Sequence, residues 1–360
     1  VRRVLISAGE ASGDLYAARL VESWRRVDAD LSIEGVGGRR LREAGVPLIA
    51  DSSRWGAIGI IEAVKVGPRV VGGYRATKRA LATGAPGLFV PIDFGYTHVR
   101  LARFAKERGW KVFYFVPPGS WRKHKQGSDL ASVTDAIATP FSWSAEILTQ
   151  MGANARWFGH PLKELVVGSG VDLAAPRSTI AILPGSRGHE VQRVLPVLKA
   201  ATESRPEPVE AALASSVSAE AVSRLWPVGL RLTPNDTYGV LGRACAALIC
   251  SGTATLEAAL CRTPCVVVYR GSKSMEIEYR IRKPKFDFIS LPNILLGRAV
   301  LPELIQWDAT PERIRGELDR LLDEGAARQA QLAAFEELDA LLGPADALSQ
   351  AARWALEFVS

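Results

Sequence analysis

Residues 246–270 read AALICSGTATLEAALCRTPCVVVYR. The run Ala246–Cys250 has the length and bulk of a buried strand and stops at Ser251-Gly252-Thr253. An Ala/Leu-rich segment of helical character follows, then Pro264 and a second β-branched run, Val266–Val268. A strand–turn–helix–strand unit of this kind closes by a right-handed crossover in a parallel sheet, which puts the chain in the α/β class. Gly252 lets a ligand approach the backbone, and Ser251 and Thr253 are residue types that cap helix N-termini. The N–H groups and dipole at a helix start attract anions, by about 0.3–1 kcal/mol each when exposed. Glu257, four residues past Thr253, shares its helix face and stands one turn behind that site. An anion site backed by an acceptor for sugar hydroxyls suits a nucleoside diphosphate. An ordinary βα turn with a surface glutamate fits the same letters.

The 360 residues exceed one ordinary α/β core and suit two domains. Hydrophobic residues at 48% and charged ones at 23% describe a globular chain. No run of about 18 uncharged apolar residues is present, so no spanning helix is expected. The first residues read as a strand rather than a leader peptide. Cys245, Cys250, Cys261 and Cys265 crowd the organising unit at mostly apolar positions without a CxxC spacing. That is the pattern of reduced, packed thiols in an intracellular chain rather than of disulfides or zinc ligands. A net charge of +7 fits an anionic membrane surface, a phosphorylated substrate or nucleic acid, and does not choose among them.

Working outward, Val1–Ser7 reads as a first strand, ending in Ala8-Gly9-Glu10-Ala11-Ser12-Gly13-Asp14. Helical periodicity runs from Leu15 to Val27, and Ser12 or Asp14 can cap that helix. Gly9 and Gly13 leave room for a ligand, making this a second candidate anion site. The GVGG after Leu31–Val36 lies in the second βα unit and lacks an acidic partner about 20 residues on, so nicotinamide binding is rejected. Ala57–Val71, followed by Arg75, Lys78 and Arg79 and itself containing Arg69, reads as a membrane-surface segment or as a core helix with a solvated basic face. Leu88–Ile92 is a strand with Asp93 at its carboxyl end, and His98 opens the next helix. After the strand Lys111–Val116, the loop Pro117–Lys125 mixes Trp121 with a cluster of cations. Thr134–Thr139 is a strand, and Gly159–Leu162 with Val166–Pro176 reads as a linker. Alternation restarts at Ser178–Leu183, followed by Pro184-Gly185-Ser186-Arg187 and a helix, with weaker strands at Val209–Leu213 and Arg231-Leu232. Ile289–Asn293 reads as an irregular turn, Leu301–Gln306 as the opening of a helix, and Thr310-Pro311 as a helix cap. Gly325 and Gly343-Pro344 split the three last helical stretches.

Two α/β domains facing each other across a cleft, each with glycine-containing βα turns, describe a nucleotide-sugar transferase. Arg187 sits just past a strand end and can take a phosphate bidentately, each such charged hydrogen bond contributing about 1.5–3 kcal/mol. The acceptor hydroxyl needs a proton acceptor. Asp93 is the best-placed carboxylate, with Glu10 and His98 as rivals, although a strand-end Asp can also simply cap a turn. His124, His160 and His189 show no spacing that announces a metal centre.

Over nearly its full length the chain resembles the lipid-A-disaccharide synthase family. The resemblance rests on AGEASGD (8–14), GVGGRRLREAG (35–45), the Asp93 strand end, GHPL, LPGSRGHE (183–190), SGTATLEAAL (251–260), VVVYR, SLPNILLGR (290–298) and PELIQ. It implies a GT-B fold with an acceptor-side Rossmann-like domain over 1–165 and a nucleotide-sugar domain over 177–343. The C-terminal helices, 344–360, pack back on the first domain. It implies an inverting, metal-independent hexosyltransferase with no cofactor beyond the UDP-sugar substrate. It implies UDP-2,3-diacylglucosamine as donor and 2,3-diacylglucosamine 1-phosphate as acceptor. It further implies a cytoplasmic protein held peripherally on the inner membrane surface, forming a homodimer and binding no nucleic acid.

Residue by residue, Arg187 matches the family's functional arginine, Asp93 its proposed base, and Glu257 a residue near the ribose. Candidate catalytic groups are therefore Asp93, Arg187, Glu10 and His98. On the donor side stand Ser186, Arg187, Ser251, Gly252, Thr253, Glu257 and Asn293, and on the acceptor side Gly9, Ser12, Gly13 and Trp121. The departures lie toward the acceptor. IDFGYTH (92–98) replaces the family's IDAPDFN, with Tyr96 for its second Asp and His98 for its Asn, and PPGSWRKH (117–124) keeps one tryptophan of SPSVWAWR. A transferase with a different lipid-linked acceptor, a non-catalytic sugar-lipid binder and a UDP-sugar epimerase are the alternatives.

Overall fold

The computed structural model describes residues 2–53, 55, 60–124, 126–127, 129–214, 216–271 and 287–359. The start of the apolar stretch read from Ala57, and Lys125 of the cationic loop, lie outside them. The chain divides into two compact units, Val1–Glu164 with Leu342–Ser360, and Leu165–Leu341.

The first unit is a seven-stranded parallel sheet built from β1 (Arg3–Ala8), β2 (Ser32–Gly37), β3 (Leu48–Asp51), β4 (Leu88–Ile92), β5 (Lys111–Phe115), β6 (Ala136–Thr139) and β7 (Ala155–Trp157). Their order in space is β3-β2-β1-β4-β5-β6-β7. The second unit holds β8 (Thr179–Leu183), β9 (Val209–Leu213), β10 (Leu230–Pro234), β11 (Ala244–Cys250), β12 (Cys265–Tyr269) and β13 (Glu303–Ile305), ordered β10-β9-β8-β11-β12-β13. Central strands are buried on both faces, which is why they read as continuous apolar runs. In the second unit Ile180, Ile182, Leu248 and Val266 join Val194 and Leu198 of helix Gly188–Thr202 in one core. Burying each such side chain stabilises by roughly 1.5–3 kcal/mol, so the strands that carry the turns are anchored in the core.

Each sheet reverses its winding once, between β1 and β4 and between β8 and β11. Ligands of open parallel sheets bind at the carboxyl ends of the strands at such a point. The register puts Ala8 beside Ile92, and Ile249 beside Leu183. Topology thus brings the Gly9-Glu10 turn to Asp93 in one unit, and the Gly185–Arg187 turn to Ser251-Gly252 in the other.

The C-terminal helix Ala347–Leu356 belongs to the first unit. Trp24 Nε1 donates to the Ala352 carbonyl at 2.9 Å, Trp354 packs edge-on against Phe113, and the Glu164 carboxylate accepts the Leu348 N–H at 2.6 Å.

Five local expectations change. Pro161–Gly168, read in part as linker, is a helix. Leu301–Gln306 does not open a helix: Glu303–Ile305 is the edge strand β13, paired with β12 and followed by a short 3-10 turn. Pairing to an open sheet edge overrides the helical propensity of the segment. Ser290–Asn293 is not irregular but caps and starts the helix Leu291–Leu296, with proline in its first turn. The first helix starts at Ala11 with Glu10 as its N-cap residue, so neither Ser12 nor Asp14 caps it. The strands β3 and β7 appear where the sequence showed none, because both are short and partly exposed.

Candidate active site

At the carboxyl end of β4 the backbone enters the left-handed region for three consecutive residues: Asp93 (φ +47°), Phe94 (+59°) and Gly95 (+59°). Such angles cost L-residues free energy and persist only where surroundings over-determine them. Here the Asp93 N–H donates to the Phe115 carbonyl at 3.2 Å. The Asp93 carbonyl accepts from the Tyr114 hydroxyl at 2.8 Å and from His98 Nδ1 at 3.0 Å. Burial, and after it the nearby Glu10 charge, push the Asp93 carboxyl up to about 6. A carboxylate tuned toward neutrality is a far better proton acceptor than an ordinary one. His98 is buried, its Nε2 lies 2.9 Å from Ser7 Oγ, and burial pushes the ring down to about 4.

Gly9 is explained by Phe94. A Cβ at Gly9 would lie 2.0 Å from the Phe94 ring, which itself stands 5.7 Å from the ring of Trp55. Gly13 packs a Cβ-sized space against Ala8 and Ile92, and Ser12 lies in the first turn of helix Ala11–Val27. Gly9→Ala is expected to dislodge Phe94 and with it the Asp93 turn, an overpacking that costs roughly 1–3 kcal/mol. Melting temperature and kcat should both fall, and Gly9→Ala with Phe94→Ala should regain the melting temperature.

Asp14 serves a structural end. Its carboxylate accepts the N–H groups of Gly38 (2.6 Å), Arg40 (2.9 Å) and Leu41 (3.2 Å) and so caps helix Arg39–Glu43. A Cβ at Gly38 would sit 2.8 Å from Asp14 Oδ2. The GVGG that imitates a dinucleotide fingerprint is therefore the seat for this carboxylate. Trp121 is half-buried with the Arg122 guanidinium 5.2 Å from its ring, in a loop tied down by Gln126 Nε2 donating to the Arg122 carbonyl at 2.9 Å.

In the second unit Arg187 is the N-cap residue of helix Gly188–Thr202, and its Nη1 donates to Glu190 Oε1 at 2.9 Å. Glu190 is buried while Arg187 stays 21% exposed at the side chain. Gly185 adopts φ +106°, and a Cβ there would lie 2.7 Å from Glu190 Oε2. The Pro-Gly-Ser turn thus makes room for a carboxylate that aims the guanidinium. Ser186 presents its carbonyl to Ser216 Oγ at 2.5 Å.

Across the switch point, Gly252 is exposed at φ +144° with open space where a side chain would be, so its backbone is approachable. Thr253 is the N-cap residue of helix Ala254–Leu260, and Ser251 Oγ donates to the Ile289 carbonyl at 3.2 Å. Glu257, half-buried, is pushed up to about 7 by burial, with the Tyr238 hydroxyl bonded to it. Asn293 is fully buried, with its amide bonded to the protein at both ends. Nδ2 donates to Leu301 O and Glu303 Oε1, and Oδ1 accepts from Val300 N and Leu301 N. Glu303 also accepts from Ile289 N and Ser290 N, each at 2.9 Å. Asn293 and Glu303 together hold the segment that Ser251 touches.

The lipid-A-disaccharide synthetase family model matches residues 4–352. The chain belongs to that family. It is 36% identical over 360 residues to the lipid-A-disaccharide synthase of Anaeromyxobacter dehalogenans (strain 2CP-1), covering 95% of this chain and 93% of that one. It is 33% identical over 377 residues to the synthase of Syntrophus aciditrophicus (strain SB), covering 99% and 97%. Among solved structures it is similar to MurG of Acinetobacter baumannii (14% identity, TM-score 0.57, covering 99% of this chain and 100% of that one). It is similar also to the calicheamicin glycosyltransferase CalG4 (14%, 0.56, 100% and 99%). A UDP-GlcNAc 2-epimerase from Neisseria meningitidis shares the architecture as well (10%, 0.60, 99% and 98%). At these identities the structural likeness establishes the GT-B fold and nothing finer. Family membership makes the chain a hexosyltransferase of lipid A biosynthesis that takes a UDP-sugar donor and a lipid-linked acceptor.

Topology unites Glu10, Asp93 and His98 in one unit and Arg187, Ser186, Ser251 and Gly252 in the other. The sequence reading missed Glu190, although its spacing of three from Arg187 on a helix start was a usable signal. It also missed Ser7, Tyr114 and Phe94, whose parts depend on strand order.

Proposed function

We propose that the chain transfers 2,3-diacylglucosamine from UDP-2,3-diacylglucosamine to 2,3-diacylglucosamine 1-phosphate with inversion, using no cofactor. The observation that carries this reading is Asp93, fixed at the switch point of the first sheet with its carboxyl raised to about 6 beside Glu10. Asp93 takes the proton of the acceptor hydroxyl as that oxygen bonds the anomeric carbon. The bond from that carbon to the diphosphate breaks, and UDP leaves with the electron pair. Arg187 and the backbone around Gly252 take the charge that grows on the leaving diphosphate, where stabilisation acts mostly in the transition state. Glu257 accepts from the ribose hydroxyls, Ser186 and Thr253 line the donor, and Gly9, Ser12, Gly13 and Trp121 line the acceptor. Glu10 raises the basicity of Asp93.

The protein works in the cytoplasm, peripherally at the inner face of the membrane and as a homodimer. Arg69, Arg75, Lys78 and Arg79 are exposed along helix Ile60–Ala82, a basic face for anionic lipid. Among the described residues no helix is long and apolar enough to cross a membrane.

The test is an assay on liposomes with UDP-2,3-diacylglucosamine and a panel of acylated glucosamine phosphates. Acceptor-dependent release of UDP with a β-linked disaccharide is the expected result. UDP release at the same rate without acceptor, or a C2-epimerised UDP-sugar, would refute it.

A further inference from the structure

The three left-handed residues at 93–95 lack the ordinary support of a side-chain cap: Phe94, the N-cap residue of helix Gly95–Lys106, makes no side-chain cap bond. What holds the turn is a buried chain of side chains drawn from three neighbouring elements. Ser7 comes from β1, Tyr114 from β5, and His98 from the helix itself. The Asp93 carbonyl receives the Tyr114 hydroxyl at 2.8 Å and His98 Nδ1 at 3.0 Å. A ring nitrogen facing a carbonyl oxygen must carry the proton, so the tautomer is set as Nδ1–H. Nε2 is then the acceptor, and the Ser7 hydroxyl at 2.9 Å donates to it. Ser7 and His98 are each 1% exposed and Tyr114 is fully buried.

We infer that His98 is a positioning residue: through Nδ1–H it clamps the carbonyl of Asp93 and thereby aims the Asp93 carboxylate at the acceptor hydroxyl. This rests on the reading of Asp93 as the proton acceptor. The ring itself is unsuited to take that proton. Its acceptor nitrogen is occupied by Ser7 and sealed from solvent, and burial keeps the imidazole neutral. The charge that acts on Asp93 is that of Glu10, while the Phe94 ring lies 5.4 Å from that of His98.

The geometry makes a sharp distinction between substitutions. Asparagine bears its amide nitrogen on Cγ, where histidine bears Nδ1, so His98→Asn can keep the bond to the carbonyl. Glutamine places its amide one carbon further out, and alanine has no donor. The experiment measures kcat, both KM values, the kcat pH profile and the melting curve for His98→Asn, His98→Gln, His98→Ala and Asp93→Asn. His98→Asn is expected to stay within about threefold of wild-type kcat with its acidic limb unmoved. His98→Ala and His98→Gln are expected to lose about 10–100-fold in kcat, with the KM for the donor unchanged. Their acidic limb should shift down toward the ordinary carboxylate range as the carboxyl loosens into water. The positioning role is overturned if His98→Ala keeps wild-type kcat, or if a folded His98→Asn is as slow as His98→Ala. Should Asp93→Asn itself run at the wild-type rate, the proton-acceptor reading falls, and the clamp with it. Loss in Asp93→Asn with none in His98→Ala overturns the clamp alone.

Discussion

Arg187→Ala is expected to lower kcat by about 10²–10³, the loss typical of removing a donor from a developing oxyanion. The effect is large because the guanidinium is half in and half out of the protein. Its side chain is 21% exposed, yet its Nη1 is bonded at 2.9 Å to a glutamate that is only 3% exposed. Glu190 therefore fixes the direction of the fork, so on the proposed mechanism the guanidinium would meet the diphosphate in a prepared orientation. The same variant leaves Glu190 as a buried carboxylate without its cation, so stability falls as well. Arg187→Lys separates the two contributions. A lysine keeps the charge and the pairing with Glu190 but not the bidentate fork. Its melting temperature should stay near the wild-type value while kcat remains well below it. Steady-state kinetics and thermal melts on the two variants check this, and full activity in Arg187→Ala would remove Arg187 from the reaction.

Asp93→Asn is expected to lower kcat by about 10²–10⁴, the contribution of a positioned general base. It should also abolish the acidic limb expected near pH 6 in the wild-type pH profile, since only the ionised carboxylate could accept the proton. Stability moves the opposite way. The folded pKa of about 6 exceeds the ordinary 3.8, so the folded state binds the proton more tightly than the unfolded one. The contribution of Asp93 to stability is then fully present below the ordinary value and is lost as pH rises through about 6. The asparagine variant escapes that loss. Its melting temperature should exceed the wild-type value above pH 6, with the gap closing toward pH 4. A variant that is slower and also less stable at pH 8 would mean that Asp93 is a turn-former and not a tuned base.

The elements of the fold were legible where burial imposes a continuous apolar pattern. β11 and β12 stand out as runs because both their faces are covered, and the turn between them announces itself by Gly252. Strand order is carried by no residue type. That Ala8 lies beside Ile92, and hence Glu10 near Asp93, follows only once the chain crosses from β3 to the far side of β1. Edge elements were the weakest to read. β3 and β7 are too short to show a period, and β13 is written in helix-forming letters that sheet pairing overrides. Among candidate site residues, Asp93 and Arg187 were visible as strand-end residues in α/β units. The groups around Asp93 were not, since Tyr114 and Ser7 look like ordinary strand residues until β5 and β1 flank β4. Asp14 shows the converse: a carboxylate in a glycine-rich turn invites a ligand reading, yet it caps helix Arg39–Glu43.

On the proposed mechanism the labour is divided between two sheets: the second unit holds the donor's diphosphate and the first unit handles the proton. Calorimetric titration of UDP into wild-type, Arg187→Ala and Asp93→Asn protein tests that division directly. A lost charged hydrogen bond of about 1.5–3 kcal/mol predicts UDP binding weakened roughly 10–150-fold in Arg187→Ala. Asp93→Asn is predicted to bind UDP with wild-type affinity. UDP affinity that survives in Arg187→Ala but collapses in Asp93→Asn would contradict it.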